Sequence, residues 1–195
     1  MTGNGEALRL AIDLLHVPSR VRQVRMDLLP EGVPFLLRIA AGDSNAMREA
    51  TRITDRPDEV IRDAAVFFIE QILLEAQSDS YRVLGASPNA TPSELRHNMA
   101  LLIKWLHPDR AQEGPHSVFV NRVTTAWDDL KTPERRAAYD RARQTLSQKE
   151  RSNHRRPKRP RRNPRKLISR RGTKMQNRYG LLRRAIQFLL GGLRT

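Results

Sequence analysis

Two sets of residues in this 195-residue sequence have the types and spacing to do chemistry, and the first is His107-Pro108-Asp109-Arg110. Proline fixes φ and stiffens its turn, so Asp109 is offered there as a carboxylate able to accept paired hydrogen bonds from an arginine. An imidazole and a carboxylate in one tripeptide also invite an acid–base reading, yet a lone His-Pro-Asp is equally an ordinary helix stop with solvated polar groups. The other four histidines, His16, His97, His116 and His154, are scattered, and none forms the i, i+4 pair with an acid that a helical zinc site needs. There is no cysteine, which excludes disulfide stapling, Cys-based metal sites and thiol catalysis and fits a reducing compartment. No metal, cofactor or small-molecule substrate is expected.

The second set is cationic: Arg155, Arg156, Lys158, Arg159, Arg161, Arg162, Arg165 and Lys166, with three prolines and one asparagine between them. Such a run cannot form a helix core and reads as an extended, solvated segment. It is the centre of a segregated charge. The chain carries a formal +15, but residues 146–195 hold 17 Lys or Arg and one acid, Glu150, while the first 145 residues hold 19 basic and 20 acidic side chains. A near-neutral body thus bears a basic tail, and the tail has the chemistry to pair with phosphates of RNA, DNA or an anionic membrane surface. Aromatic stacking platforms are absent from the run, so base reading is not expected.

The elements that must position these residues are helical. Residues 6–76 read as helices punctuated by Pro and Gly: Glu6 to Val17, Arg20 to Leu29, Val33 to Ala41, and a long apolar pattern from Pro57 to Leu74, interrupted at Glu59, Arg62, Asp63, Glu70 and Gln71 and taken as the central helix of a small bundle. Thr91-Pro92-Ser93-Glu94 opens the next long helix as a capping box with a first-turn proline. Leu95, Met99, Leu102 and Leu106 form one stripe along it, and Pro108 ends it. A facing helix carries Val120, Val123, Trp127 and Leu130, and the two should pair antiparallel. Thr132-Pro133-Glu134 opens a last short helix through Tyr139 and Arg143, and the turn Tyr81-Arg82-Val83-Leu84-Gly85 closes one end. From Tyr179 to Leu193, Leu182, Ala185, Ile186, Leu189 and Leu193 share a helical face. That segment is too short to span a bilayer and suits docking on the chain's own body, a partner groove or a membrane interface.

These parts fall in the order of a known family: Tyr81-Arg82-Val83-Leu84-Gly85, Ala90-Thr91 with Glu94-Leu95, His107-Pro108-Asp109-Arg110, Ala126-Trp127 with Leu130, and Arg136-Ala137-Ala138-Tyr139-Asp140. Over residues 78–141 the sequence resembles the J-domain of DnaJ-type cochaperones. The resemblance implies a partner, a DnaK-type chaperone ATPase, whose ATP hydrolysis the His-Pro-Asp loop triggers. It makes His107, Pro108, Asp109 and Arg110, with Arg96, His97 and Lys104 on the preceding helix, partner contacts and not catalytic groups of this chain. The expected core is Tyr81, Leu84, Leu95, Met99, Leu102, Leu106, Val123, Trp127, Leu130 and Tyr139. One departure stands out: where most J-domains expose an aromatic and two basic residues, this chain has Met99, Ala100 and Leu101. Either that face is thinner in charge, or Ala100 and Leu101 lie under the N-terminal bundle.

The expected fold is all-α: a helical N-terminal domain (1–77), a four-helix J-domain with an antiparallel hairpin (78–145), a basic disordered linker (146–178) and an amphipathic terminal helix (179–195). The function expected is that of a cochaperone, not an enzyme, which stimulates the partner ATPase and targets it to a client or site. Gly/Phe-rich and Cys-based zinc repeats of complete DnaJ architecture are not in this sequence, which favours a targeting adaptor. The rival reading is a nucleic-acid-, ribosome- or membrane-surface-binding protein that works through the tail and keeps a degenerate J-domain as scaffold. No secretory start and no stretch of roughly 18–20 apolar residues is visible, so a cytoplasmic protein, peripheral at the membrane if the terminal helix lies there, is expected.

Overall fold

A computed structural model describes residues 3–107 and 116–155, all of whose regular elements are helical. The first half is built from α1 (Asn4–His16), a 3-10 turn at Pro18–Arg20, α2 (Val21–Met26), α3 (Val33–Ala40), α4 (Ser44–Thr54) and α5 (Asp58–Phe68). α5 packs on α1, α3 and α4 and is the hub of the bundle, because Ile61, Ala64, Ala65 and Phe68 put an apolar stripe on the side those helices cover. Pro57, expected inside the first turn, caps the helix from outside.

The long helix expected to reach Leu74 changes its winding instead. After Phe68 the chain continues as a π-helical turn, Ile69–Leu73. The wider turn lets Ile69, Ile72 and Leu73 all be fully buried, and the carbonyls it leaves loosely paired are taken by side chains from elsewhere. Arg25 Nε donates to the Gln71 carbonyl (2.7 Å), and Arg82 Nε and Ser78 Oγ donate to that of Ile72 (3.3 and 3.4 Å).

One helix, α4, is missing from the elements read from the sequence. Its start is nevertheless locally specified: Asp43 accepts from the Asn45 and Ala46 amides (2.9 and 3.2 Å) and from Arg38 Nε (2.8 Å). Arg38 and those amides hold the Asp43 carboxyl below the usual aspartate range.

The second half follows as α6 (Ser80–Val83), α7 (Pro92–Trp105), α8 (His116–Leu130) and α9 (Pro133–Arg155). α8 packs on both α6 and α7. The apolar core is continuous from Ala7 to Leu130 and crosses from one half to the other, and α3 packs on α7. Gly85 marks how close the halves come. Its φ is +60°, and an added Cβ would lie 2.8 Å from Val33 Cγ1, so both backbone and space demand glycine.

α9, expected to stop near Arg143, runs to Arg155 and so enters the stretch assigned to the basic linker. The physical reason is composition. After Pro133 the next proline is Pro157, and Ala142, Gln144, Leu146, Gln148, Lys149 and Glu150 between them are good helix formers. The chain divides into two units, residues 1–154 and residues 155–195; residues 156–195, with the cations from Arg156 to Lys166 and the terminal amphipathic segment, lie outside the described residues. Among the described residues no helix is long and apolar enough to cross a membrane.

Candidate functional site

α7 begins where its sequence says it should. Thr91 Oγ1 accepts from the Glu94 amide (3.2 Å) and Glu94 Oε2 accepts from the Thr91 amide (2.7 Å), closing the capping box. The Thr91 amide and then the Thr91 hydroxyl (2.9 Å), both donating to Glu94 Oε2, lower the Glu94 pKa by stabilising its charged form. With the start fixed, the 3.6-residue period decides which side chains face in. Leu95, Asn98, Leu102 and Trp105 are buried, followed by Leu106, while Met99, Leu101 and Ile103 are half-buried flanks against the core.

The remaining face of α7 is open. Arg96, His97, Ala100 and Lys104 are exposed on it, and His107, past the end of the helix, is exposed too. Arg96, Ala100 and Lys104 recur at i, i+4 and i+8, so the cations form one stripe leading to His107. Ala100 is thus not covered by the N-terminal bundle, and Leu101 is half-buried. Pro108, Asp109 and Arg110 lie outside the described residues.

Both ends of the segment carrying His107 are anchored by aromatics. Trp105, in the last turn of α7, stacks on Phe119, in the first turns of α8, with centroids 6.4 Å apart and planes 25° from parallel. Further along α8, Val123 and Leu130 are buried, and Val120 and Trp127 are half-buried on the same core.

The orientation of α6 and α9 is set by a polar cluster that spacing alone did not indicate. Tyr81 is 1% exposed, its hydroxyl donates to Asp140 Oδ1 (2.9 Å), and it accepts from Arg136 Nε (2.9 Å). Burial, reinforced by the bond to Asp140, pushes the Tyr81 phenol up. The same guanidinium donates to the Ala90 and Pro88 carbonyls (2.8 and 2.7 Å), so one arginine fixes the loop entering α7 against α9. Tyr139 lies edge-on to Tyr81 at 5.8 Å and accepts from the Ser80 amide (2.8 Å). Ser80 Oγ donates to Asp129, and Arg143 pairs with Asp79, at 2.7 and 3.0 Å. The core residues Leu84, Leu95, Leu102 and Leu106 are buried beside this cluster, and Met99 and Tyr139 are partly so.

Three polar side chains escaped the sequence reading. Asn98, 2% exposed, donates to the Leu84 and Gly85 carbonyls (3.0 and 3.2 Å) and ties α7 to the end of α6. A polar residue three after Leu95 in an apolar stripe was the available signal. Arg82 donates to the Val24 carbonyl (2.9 Å), to that of Asp27 (3.0 and 3.1 Å) and to Ile72, locking α6 onto the bundle; burial lowers its pKa. Arg122 on α8 donates to the Leu74 carbonyl. No local signal marks these two arginines.

Residues 79–140 match the DnaJ domain family model. Over 67 residues the chain is 40% identical to the chaperone protein DnaJ of Dinoroseobacter shibae, an alignment covering 34% of this chain and 18% of that protein. A DnaJ from Ruegeria is 40% identical over 67 residues (34% and 17%), and one from Thermosipho melanesiensis is 40% identical over 67 residues (33% and 18%). The chain thus spans less than a fifth of the length of the curated relatives it matches. No solved structure matches it. With the capped α7, the α7–α8 pair and the Tyr81–Arg136–Asp140 cluster all inside the matched segment, residues 79–140 are a DnaJ domain.

Proposed function

We propose that this chain is a J-domain cochaperone that docks on a DnaK-type chaperone ATPase, accelerates its ATP hydrolysis and directs it to a client or site, with no catalysis of its own. The observation that carries the reading is the open face of α7, where the cations Arg96 and Lys104, with His97 beside them, form a stripe ending at exposed His107, within a DnaJ domain. A cationic stripe steers an acidic partner surface into register, and Asp109, next to Pro108 in the sequence, is the carboxylate to take paired hydrogen bonds from an arginine of the ATPase. Because Ala100 stands in the middle of the stripe, the encounter is slower and less salt-sensitive than with a fuller cationic face. The N-terminal bundle and the basic run from Arg155 to Lys166 are the addressing parts, the run toward a polyanion through phosphate pairing.

Single-turnover ATP hydrolysis by the DnaK-type ATPase of the same source, with the wild-type chain and with Asp109→Asn and His107→Gln, tests this. Stimulation by the wild type that is lost in both variants is expected. A wild type that leaves the rate unchanged overturns the reading and favours the tail as the working part.

A further inference from the structure

α8 borders the core with Phe119 and Val123, and with Val118, Arg122 and Ala126 it forms one wall of an open groove of about 340 Å³. The opposite wall is Glu75, Ala76 and Val83, from the junction between the bundle and the DnaJ domain. Two features of this groove are unsatisfied within the described residues. Val118 is 47% exposed, although it sits on a helix with a large core to turn to. The Arg122 guanidinium donates to the Leu74 carbonyl through Nη1, and the ion pairs among the described residues do not include it. Glu75 does not supply one, since it faces Arg25 at 4.0 Å.

Apolar side chains at Ala76, Val83, Val118 and Ala126, set among Ser78, Ser80 and Thr125, with a half-buried cation between them, define a complementary ligand. Aliphatic side chains bury against Ala76, Val83 and Val118, and a carboxylate beside them takes the free guanidinium donors in a partly desolvated setting, where such a bond is stronger than in water. A helix wall and a shallow, open trough suit a helix laid in the groove more than a small molecule enclosed by it. We propose that this groove receives an amphipathic helix of a protein partner that carries an acidic residue within one turn of its aliphatic anchors. None of Arg96, His97, Lys104 or His107 lines the groove, so the surface is distinct from the α7 face, and the partner is one that the DnaJ domain holds while that face stays open.

The probe is a library of displayed peptides of about 16 residues, some 24 Å long when helical, selected on the full-length chain, with affinities then measured by fluorescence anisotropy. Selected peptides are expected to pair Asp or Glu with aliphatics three or four residues away. Val118→Asp should weaken binding at least about tenfold, because it replaces an apolar contact with a like charge. Asn121 is exposed on the groove's rim, so Asn121→Glu should weaken and Asn121→Lys tighten binding, each about threefold. Both positions are exposed, and an unchanged melting temperature verifies that the variants fold. Selection that yields no acidic–aliphatic peptides, a Val118→Asp chain that binds like wild type, or the two Asn121 variants shifting affinity in the same direction would each overturn the proposal. A dimer in sedimentation that Val118→Asp abolishes would also overturn it, by giving the groove to a second copy of the chain.

Discussion

The bundle of α1 to α5 and the DnaJ domain at residues 79–140 are held together by different physics. In the bundle, fully buried aliphatics and Phe68 do most of the work, and its long-range side-chain bonds are few, Asn4 to Glu49 (3.2 Å) among them. In the DnaJ domain, directional bonds converge on Tyr81 and Arg136 and set how α6, α9 and the loop before α7 lie. Apolar packing tolerates substitutions that keep volume, whereas a bonded network fixes angles and fails when one member loses its geometry. The bundle therefore supplies stability, and the DnaJ domain supplies the orientation of α7.

Truncating the hub of the bundle should give the largest effect. Phe68→Ala, at a fully buried position, should cost about 3–5 kcal/mol in urea unfolding; a loss under 1 kcal/mol would mean that the bundle is not packed as described. Next comes the joint between the halves. Arg82→Leu removes the guanidinium bonds to the Val24 and Asp27 carbonyls and leaves that of Ile72 to Ser78 alone and should cost about 2 kcal/mol. It should also separate unfolding into two transitions, which coincident probes from the two halves would exclude. Thr91→Ala removes one side of the capping box, at about 1 kcal/mol by thermal melting, and frays the start of α7 in amide exchange.

The smallest effect is a pH dependence. Asp43 has its pKa lowered from the ordinary 3.8, first by its bond from Arg38 and then by the Ala46 amide. A depressed carboxyl stabilises the fold above its unfolded pKa and loses that contribution as pH falls through the folded value. The stability gap between wild type and Asp43→Asn should thus be full at neutral pH and shrink only below about pH 3.8; a gap constant down to pH 2 would refute the assignment.

What was legible in the sequence follows the range of the interaction responsible. The start of α7 is written in four consecutive residues, and Thr91 and Glu94 meet as that pattern implies. The motif residues Tyr81, Leu84, Leu95, Leu102 and Leu130 are buried in a common core. α4 was not legible because its buried side comprises Ala46, Met47 and Ala50 among charged neighbours, too little apolar surface to show a period. The π-helical turn was hidden because its apolar residues suit an α-helix equally well. Arg82 and Arg122 looked like solvent-facing cations, since the carbonyls that hold them lie 48 or more residues away for Val24, Asp27 and Leu74. Arg96, His97 and Lys104 are exposed on the open face of α7, but whether Ala100 was covered depended on where the bundle sits, which is a tertiary fact.

The Arg82 lock changes what kind of machine the two halves make. Domains joined by a flexible leash meet their targets at a local concentration set by the length of the leash, and lengthening it merely dilutes them. Here the connection is seated on the bundle by three carbonyls and on the DnaJ domain by the helix that carries the arginine. A ligand placed on the bundle would accordingly be presented at a fixed bearing and distance, like a tool on a bracket, and a few residues inserted between Glu75 and Asp79 would spoil aim rather than reach.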